Sequence, residues 1–359
     1  MTPRSISPAR RRADELSDDA WAVTGPLKGY HHETYVLALS GEGRVVKIRE
    51  PRAAILWFDR RCFLSEEELL RALQGRVTGI PDILDFEGLR LQGFIEGRVL
   101  PTYRWTGRRV PDTVFGQITD LFREMARITP SELAGVGRRC APGGQAEEGD
   151  SDGFLERLIH FAEQQVYVAN HPWFGNLFDE LGVREESFAH LRKSVLGLRR
   201  RPFCLLHGDL HRGNLVVDGQ GRLWTIDWEL AMMGDPLYDL ATHLYLMRYP
   251  ADQERRMTEE WCRAVEGALP GGSYGAEEDL PLLLGFKRAQ SVFTDVIRVS
   301  LSLRDGPGFN WVALPQAARK LQRILAAGAG PLGLARTPGH SEIMAALVRR
   351  QRTWDLRCA

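Results

Sequence analysis

Between Cys204 and Leu244 the chain reads CLLHGDLHRGNLVVDGQGRLWTIDWELAMMGDPLYDLATHL. Three oxygen-bearing side chains stand out in it: Asp209, Asn214 five residues later, and Asp227 at the end of a second apolar stretch. A strand-like run, CLL, delivers His207-Gly208-Asp209 into a loop; LVV follows Asn214, a Gly-containing turn reverses the chain, and LWTI delivers Asp227. The three side chains therefore converge at strand ends. Phosphoryl transfer needs such a set, because it depends on positioning and charge neutralisation more than on covalent chemistry. A carboxylate orients and deprotonates the attacking hydroxyl, which suits Asp209. An amide and a second carboxylate hold magnesium against phosphate oxygens, which suits Asn214 and Asp227. Singly, each residue could cap a loop or end a strand, so the joint spacing carries the reading. His207, next to Asp209, reads as a brace for the loop by hydrogen bonding rather than as the base.

These residues need a framework of two kinds. Residues 35–50 hold two β-rich runs, YVLAL and RVVKI, joined by Ser-Gly-Glu-Gly, and predict a hairpin. Residues 65–75 predict a helix: Ser65 caps it, acids fill its first turn, Leu69, Leu70 and Leu73 share a face, and Gly75 ends it. Two more strands flank Gly88, and residues 8–22 predict a leading helix. Beyond residue 98 long helical patterns take over, as at 112–128, at 153–168 and from Asp239 to about Val348, with a Gly-rich acidic insertion at 138–153. The expectation is an α+β chain of two lobes: residues 1–97 a small antiparallel sheet plus helix, residues 98–359 larger and mostly helical.

Composition excludes other classes. With 47 basic and 47 acidic residues the net charge is zero, so nothing advertises nucleic acid or an anionic membrane. No apolar run reaches the roughly 18 residues of a spanning helix, and residues 1–20 lack the apolar core of a signal peptide, so the expected location is cytoplasmic. Five scattered cysteines without a CxxC pair read as reduced thiols. Nothing in the sequence bears on oligomeric state.

HGDLHRGN followed by TIDWELAMMGDPLYDLA resembles the aminoglycoside phosphotransferase and choline-kinase-like family, which shares a protein-kinase-like fold; its Asp-to-Asn spacing is that of the kinase catalytic loop. The resemblance is close over 202–245 and looser over 20–100. It implies ATP or GTP as phosphate donor, magnesium, and a small hydroxylated acceptor. It implies further that Lys47 in VVKI clamps phosphate, with Glu66 as its acidic partner and Glu67 the alternative. The segment 25–34, including Lys28, would cover the phosphates, although it lacks G-x-G-x-x-G. Backbone groups of Gln92, Gly93 and Phe94 would read the base edge at the hinge, and Asp235 and Asp239 would fix the catalytic loop through backbone bonds.

For the acceptor, the helical segments 279–304 and 340–356 are the implied holders. The first carries Lys287, Arg288, Arg298 and Arg304 against Asp295 over residues 285–304, which weighs against a polycationic acceptor. Trp105, Trp173, Trp261 and Trp311 could form a stacking wall or simply pack. An antibiotic is the favoured acceptor; a choline-like, amino-alcohol, nucleoside or sugar metabolite is the alternative, and a nucleotide-binding pseudoenzyme the third reading.

Overall fold

The computed structural model describes residues 7–17, 23–27, 32–39, 43–51, 56–101, 109–139, 145–305 and 308–358. Lys28 and Trp105 lie outside the described residues, as do positions 140–144 of the Gly-rich insertion. The first part of the chain holds α1 (Pro8–Leu16), β1 (Thr24–Leu27), β2 (His32–Ala38), β3 (Val45–Pro51), α2 (Glu66–Leu73), β4 (Ile83–Phe86) and β5 (Leu89–Gly93). Next come β6 (Arg98–Val99), α3 (Asp112–Ala126), α4 (Ser151–Phe161), α5 (Ala169–Glu180), α6 (Glu186–Ser194), β7 (Cys204–Leu206), β8 (Leu215–Val217), β9 (Leu223–Thr225) and β10 (Met232–Gly234). The remainder is α7 (Pro236–Met247), α8 (Ala251–Ala268), α9 (Ala276–Ser302), β11 (Arg304–Asp305), β12 (Gly308–Phe309), α10 (Leu314–Leu332) and α11 (His340–Cys358).

The hairpin forms as the alternation requires, with Tyr35 opposite Ile48 and Val36 opposite Lys47. The sheet gains a strand that the sequence reading assigned to a covering loop: β1 pairs with β2, giving the order β1-β2-β3-β5-β4. Gly25-Pro26 reads as a turn, but an edge strand tolerates both residues because only one of its sides must donate. The leading helix stops at Leu16, short of 22, where Ser17 turns extended. Ser65 caps α2 as expected, its side chain accepting from Glu68 N. The pattern at 153–168 continues α4 through a π-helical stretch, Ala162–Val168, into α5. Pro172, in the first turn of α5, lacks the N–H that would continue a regular ladder, which accounts for a register change nearby.

Two apolar cores hold these elements. A small one joins α1 to the sheet through Ala9, Ala13, Tyr35, Leu37, Val46 and Leu91. The larger runs through the helical part, and Leu69, Leu70 and Leu73 of α2 belong to it rather than to the small one. Within it α9 packs between α7 and α10. Arg201, whose side chain is fully buried, fastens the approach to β7: it binds Asp235 in a bidentate pair (2.7 and 2.8 Å) and Asp279 at 2.7 Å. Among the described residues no helix is long and apolar enough to cross a membrane.

Candidate active site

The segment from β7 to β9 folds as a strand, a loop and a returning hairpin. β7 pairs with β10, and β8 lies between β6 and β9. Between them Gly208 turns with φ 78°, where a Cβ would sit 2.5 Å from the Leu230 carbonyl oxygen, so only glycine fits. Asp209 follows, and His211 caps the single turn Arg212–Asn214 by accepting from Gly213 N at 2.8 Å. Asn214 donates from Nδ2 to the Asp209 carbonyl at 2.9 Å, which leaves its Oδ1 for another partner. Asp227, two residues past β9, is held at φ 67°, a strained backbone for a residue other than glycine.

Asp209, Asn214, Asp227 and Lys47 line one cavity of about 580 Å³. Gly93 and Phe94 line its far wall. Burial, then the neighbouring Glu66 and Asp209 carboxylates, push the Asp227 carboxyl up from its ordinary range. Those neighbouring carboxylates, with Asn214 on the same cavity, fit a divalent cation. Lys47 is lowered by burial and by the Arg49 guanidinium, against the pull of Glu66 and Asp227.

The supports behave differently from one another. Asp239 accepts from His207 N (2.9 Å) and Gly208 N (2.8 Å), so it holds the loop through backbone bonds. Asp235 does not: it caps α7 by accepting from Leu237 N at 2.9 Å and otherwise binds Arg201. Its position at the start of a helix explains the difference, since the nearest orphan N–H groups are those of its own first turn. His207 accepts from Asp209 N at its Nδ1 (3.3 Å), which leaves Nε2 to donate to the Ile226 carbonyl (3.2 Å). Burial lowers its pKa to about 4, so the ring is neutral.

The acid expected to face Lys47 does pull on it, but its direct bonds go elsewhere. Glu66 pairs with Arg49 and accepts from Trp228 N at 2.9 Å, tying α2 to the residue after Asp227. Glu67 pairs with Arg49 at 3.1 Å and accepts from Gln92 Nε2 at 3.0 Å. Burial raises Glu66, but Arg49, Lys47 and the Trp228 N–H outweigh it and hold the carboxyl low. The hinge departs from expectation in two of its donors. The Gly93 N–H donates to Asp82 O (2.8 Å) and the Phe94 N–H to Val45 O (2.9 Å), so these two donors are already taken, although both residues line the cavity. Ile95, one residue on, lines it.

Sequence reasoning missed Arg49, Glu229 and His243. Arg49 lies two residues after Lys47 on one strand and so shares its face, a signal the period of two carries. Glu229 takes His32 at 3.0 Å, Arg49 at 3.6 Å and Arg61 at 3.7 Å; burial pushes its carboxyl to about 7. His243 donates from Nδ1 to the Leu210 carbonyl at 2.8 Å, one turn along α7 from Asp239. Of the tryptophans, Trp261 is core, while Trp173 and Trp311 are exposed and line no part of this cavity.

No curated protein matches the chain. Among solved structures, a macrolide 2′-phosphotransferase from Brachybacterium faecium is 15% identical with a TM-score of 0.51, covering 93% of this chain and 98% of that one. The amicoumacin kinase hAmiN in complex with AMP-PNP, Ca2+ and Ami is 14% identical with a TM-score of 0.56, covering 93% and 95%. The gentamicin complex of APH(2″)-IIa is 14% identical with a TM-score of 0.50, covering 96% and 99%. These likenesses establish the two-lobed kinase-like fold. The model of the phosphotransferase enzyme family matches residues 22–274, and the chain belongs to that family as a small-molecule kinase.

Proposed function

We propose that this kinase moves the γ-phosphate of ATP or GTP to a hydroxyl of a small molecule, with an antibiotic as the acceptor. Residues 1–97 form the nucleotide lobe and residues 98–359 the catalytic and acceptor lobe in this reading. The observation that carries it is the meeting of Asp209, Asn214, Asp227 and Lys47 on one cavity. Asp209 takes the proton of the attacking hydroxyl. Asn214 Oδ1 and the Asp227 carboxylate hold magnesium, which when bound neutralises charge on the transferring phosphoryl group. Lys47 steadies the nucleotide phosphates, and Ile95 meets the base edge with its backbone. His207 and Asp239 keep Asp209 in place from behind, and Glu66 sets the Asp227 segment through Trp228 N.

Nucleotide and divalent cation are supported by the family and by the AMP-PNP and Ca2+ bound to the amicoumacin kinase. The acceptor reading draws on antibiotic phosphotransferases of the same fold. A metabolic sugar or nucleoside is the second reading, favoured by the basic wall described below.

The test is magnesium-dependent ADP or GDP release from purified protein, with ATP and GTP separately, across neutral nucleoside, peptidic and aminoglycoside antibiotics, choline-like compounds and sugars. Acceptor-stimulated release should fall roughly two to four orders of magnitude in Asp209→Ala, the usual range for a general base. Wild-type turnover in that variant would sink the assignment of Asp209.

A further inference from the structure

The acceptor side of the cavity is walled by one face of α9. Lys287, Gln290, Ser291, Thr294, Asp295 and Arg298 line it at helical spacings of three and four. Arg248, just past the end of α7, and Lys320 of α10 complete the wall. Among the described residues of this wall, Lys287, Arg298, Arg248 and Lys320 stand with one carboxylate, Asp295. That carboxylate is engaged: one oxygen pairs with Lys320 Nζ at 2.7 Å and the other accepts from Ser291 Oγ at 2.7 Å. Asp59, behind the wall, is engaged as well, accepting from Arg60 N at 2.8 Å, from Gln290 Nε2 at 3.3 Å and from the Tyr238 hydroxyl.

Among the described residues, an ammonium at this wall would meet one carboxylate, Asp295, already paired with Lys320, since the cavity's other two, Asp209 and Asp227, belong to the catalytic set. It would also face Lys287, only 3% exposed, where water screens like charges poorly. Lys287 donates to Tyr238 Oη at 3.0 Å, with Asp59 at 3.9 Å, and an ammonium has three donors in all. Arg248 is exposed and holds a left-handed backbone at φ 51°, at the end of α7 beside the cavity. An anion held by Lys287 would be desolvated against an opposite charge, with Arg248 on the exposed side of the same cavity.

We propose that the acceptor carries an anionic group, a carboxylate or a phosphate, beside its reacting hydroxyl, and that Lys287 and Arg248 receive it. The inference rests on the phosphotransferase reading above and narrows its acceptor class. The transfer balances as in any kinase: the acceptor oxygen bonds to the γ-phosphorus, the bond to the β–γ bridging oxygen breaks, the nucleoside diphosphate leaves, and the hydroxyl proton passes to Asp209. The anionic group takes no part in bond changes; it places the hydroxyl.

The experiment saturates the protein with Mg·AMP-PNP, so that probes cannot report on the phosphate end of the nucleotide site. It then titrates a matched set by ligand-observed NMR: glucose, glucosamine, glucuronate and glucose 6-phosphate. Glucuronate or glucose 6-phosphate should bind at least tenfold more tightly than glucose and glucosamine, and which of the two wins tells carboxylate from phosphate. In Arg248→Asn, chosen because asparagine tolerates the left-handed backbone, the preference should fall at least threefold with AMP-PNP affinity unchanged. Lys287→Met should do the same, and Arg248→Asn keeps the test open if that buried substitution does not fold. Equal or weaker binding of the anionic members, their failure to bind at all, or an undiminished preference in Arg248→Asn overturns the proposal. Failure of Mg·AMP-PNP to bind the wild type would instead overturn the kinase reading beneath it.

Discussion

Asp209 and Asp227 share one cavity, and their neighbours give them different work. Asp209 has its N–H held by His207 and its carbonyl by Asn214, and His243 holds the next residue, Leu210, so its carboxylate is placed by the loop. Asp227 sits among Glu66 and Glu229 with ligand atoms within 4.8 Å of one another, a cluster of carboxylates that could hold a cation. The two should therefore separate by measurement. Asp227→Asn should weaken Mg·AMP-PNP binding ten- to a hundredfold by calorimetry, the usual scale for damage to a metal site, while Asp209→Asn keeps wild-type affinity. Equal losses in both would mean that Asp209 also holds the metal. At this scale the motif residues were legible because types and spacing together point to one chemistry. Arg49 was not: an arginine on a strand ordinarily reads as a solvated face, and only its proximity to Glu66, Glu67 and Glu229 in space reveals it as the hub of their ion pairs.

Among the elements, α7 does most to hold the loop. Asp239 and His243, four residues apart on one face, reach the backbone on both sides of Asp209: Asp239 at His207 and Gly208, His243 at Leu210. Nothing in ATHLYL marks His243 except that spacing. Burial lowers its pKa to about 3, and the ring stays neutral with Nε2 accepting from the Tyr249 hydroxyl at 2.9 Å. An unfolded chain binds a proton there below about pH 6.5 and the native chain does not, so native stability falls with falling pH by roughly 1.4 kcal/mol per unit from this group. Asp239, raised to about 6, and Glu229, raised to about 7, act in the opposite sense over part of the window, so the comparison must be between variants. His243→Gln should cost stability at pH 7 through lost bonds, and urea unfolding should find that penalty shrinking by roughly 2 kcal/mol between pH 6.5 and 5. A constant penalty would mean that His243 titrates as in the unfolded chain. The hairpin and α2 were legible for the opposite reason to His243: alternation, a Gly-rich turn and a capping Ser65 all act locally. The edge strand β1 and the short β10 were not, since strands of four and three residues carrying Gly, Pro or Met have no period to read.

At the scale of the whole molecule, the two cores are unequal and the cavity lies between them. The small core rests on few large side chains, chiefly Tyr35, Leu37, Leu39, Val46, Ile48 and Leu91, whereas the larger one runs from Cys62 to Leu347 and takes in α2. Sequence patterns foretold which faces are apolar but not this allegiance of α2, because Leu69, Leu70 and Leu73 read the same whichever core they enter. Charges join the sheet to the rest of the molecule, Arg49 and His32 meeting Glu66 and Glu229. A unit with so little apolar area should open at lower free energy than the helical part. Hydrogen exchange should therefore find β2, β3 and β5 exchanging faster than α7 and α9 in the free protein. Nucleotide bound between the cores must be released before the sheet opens, so Mg·AMP-PNP at a hundred times its Kd should slow exchange in those three strands about a hundredfold. The same concentration should slow exchange in Asp227→Asn only about two- to tenfold, as its weakened affinity requires. Equal slowing in every element would mean that the chain opens as one cooperative unit, and that the small core has no lower-energy opening of its own.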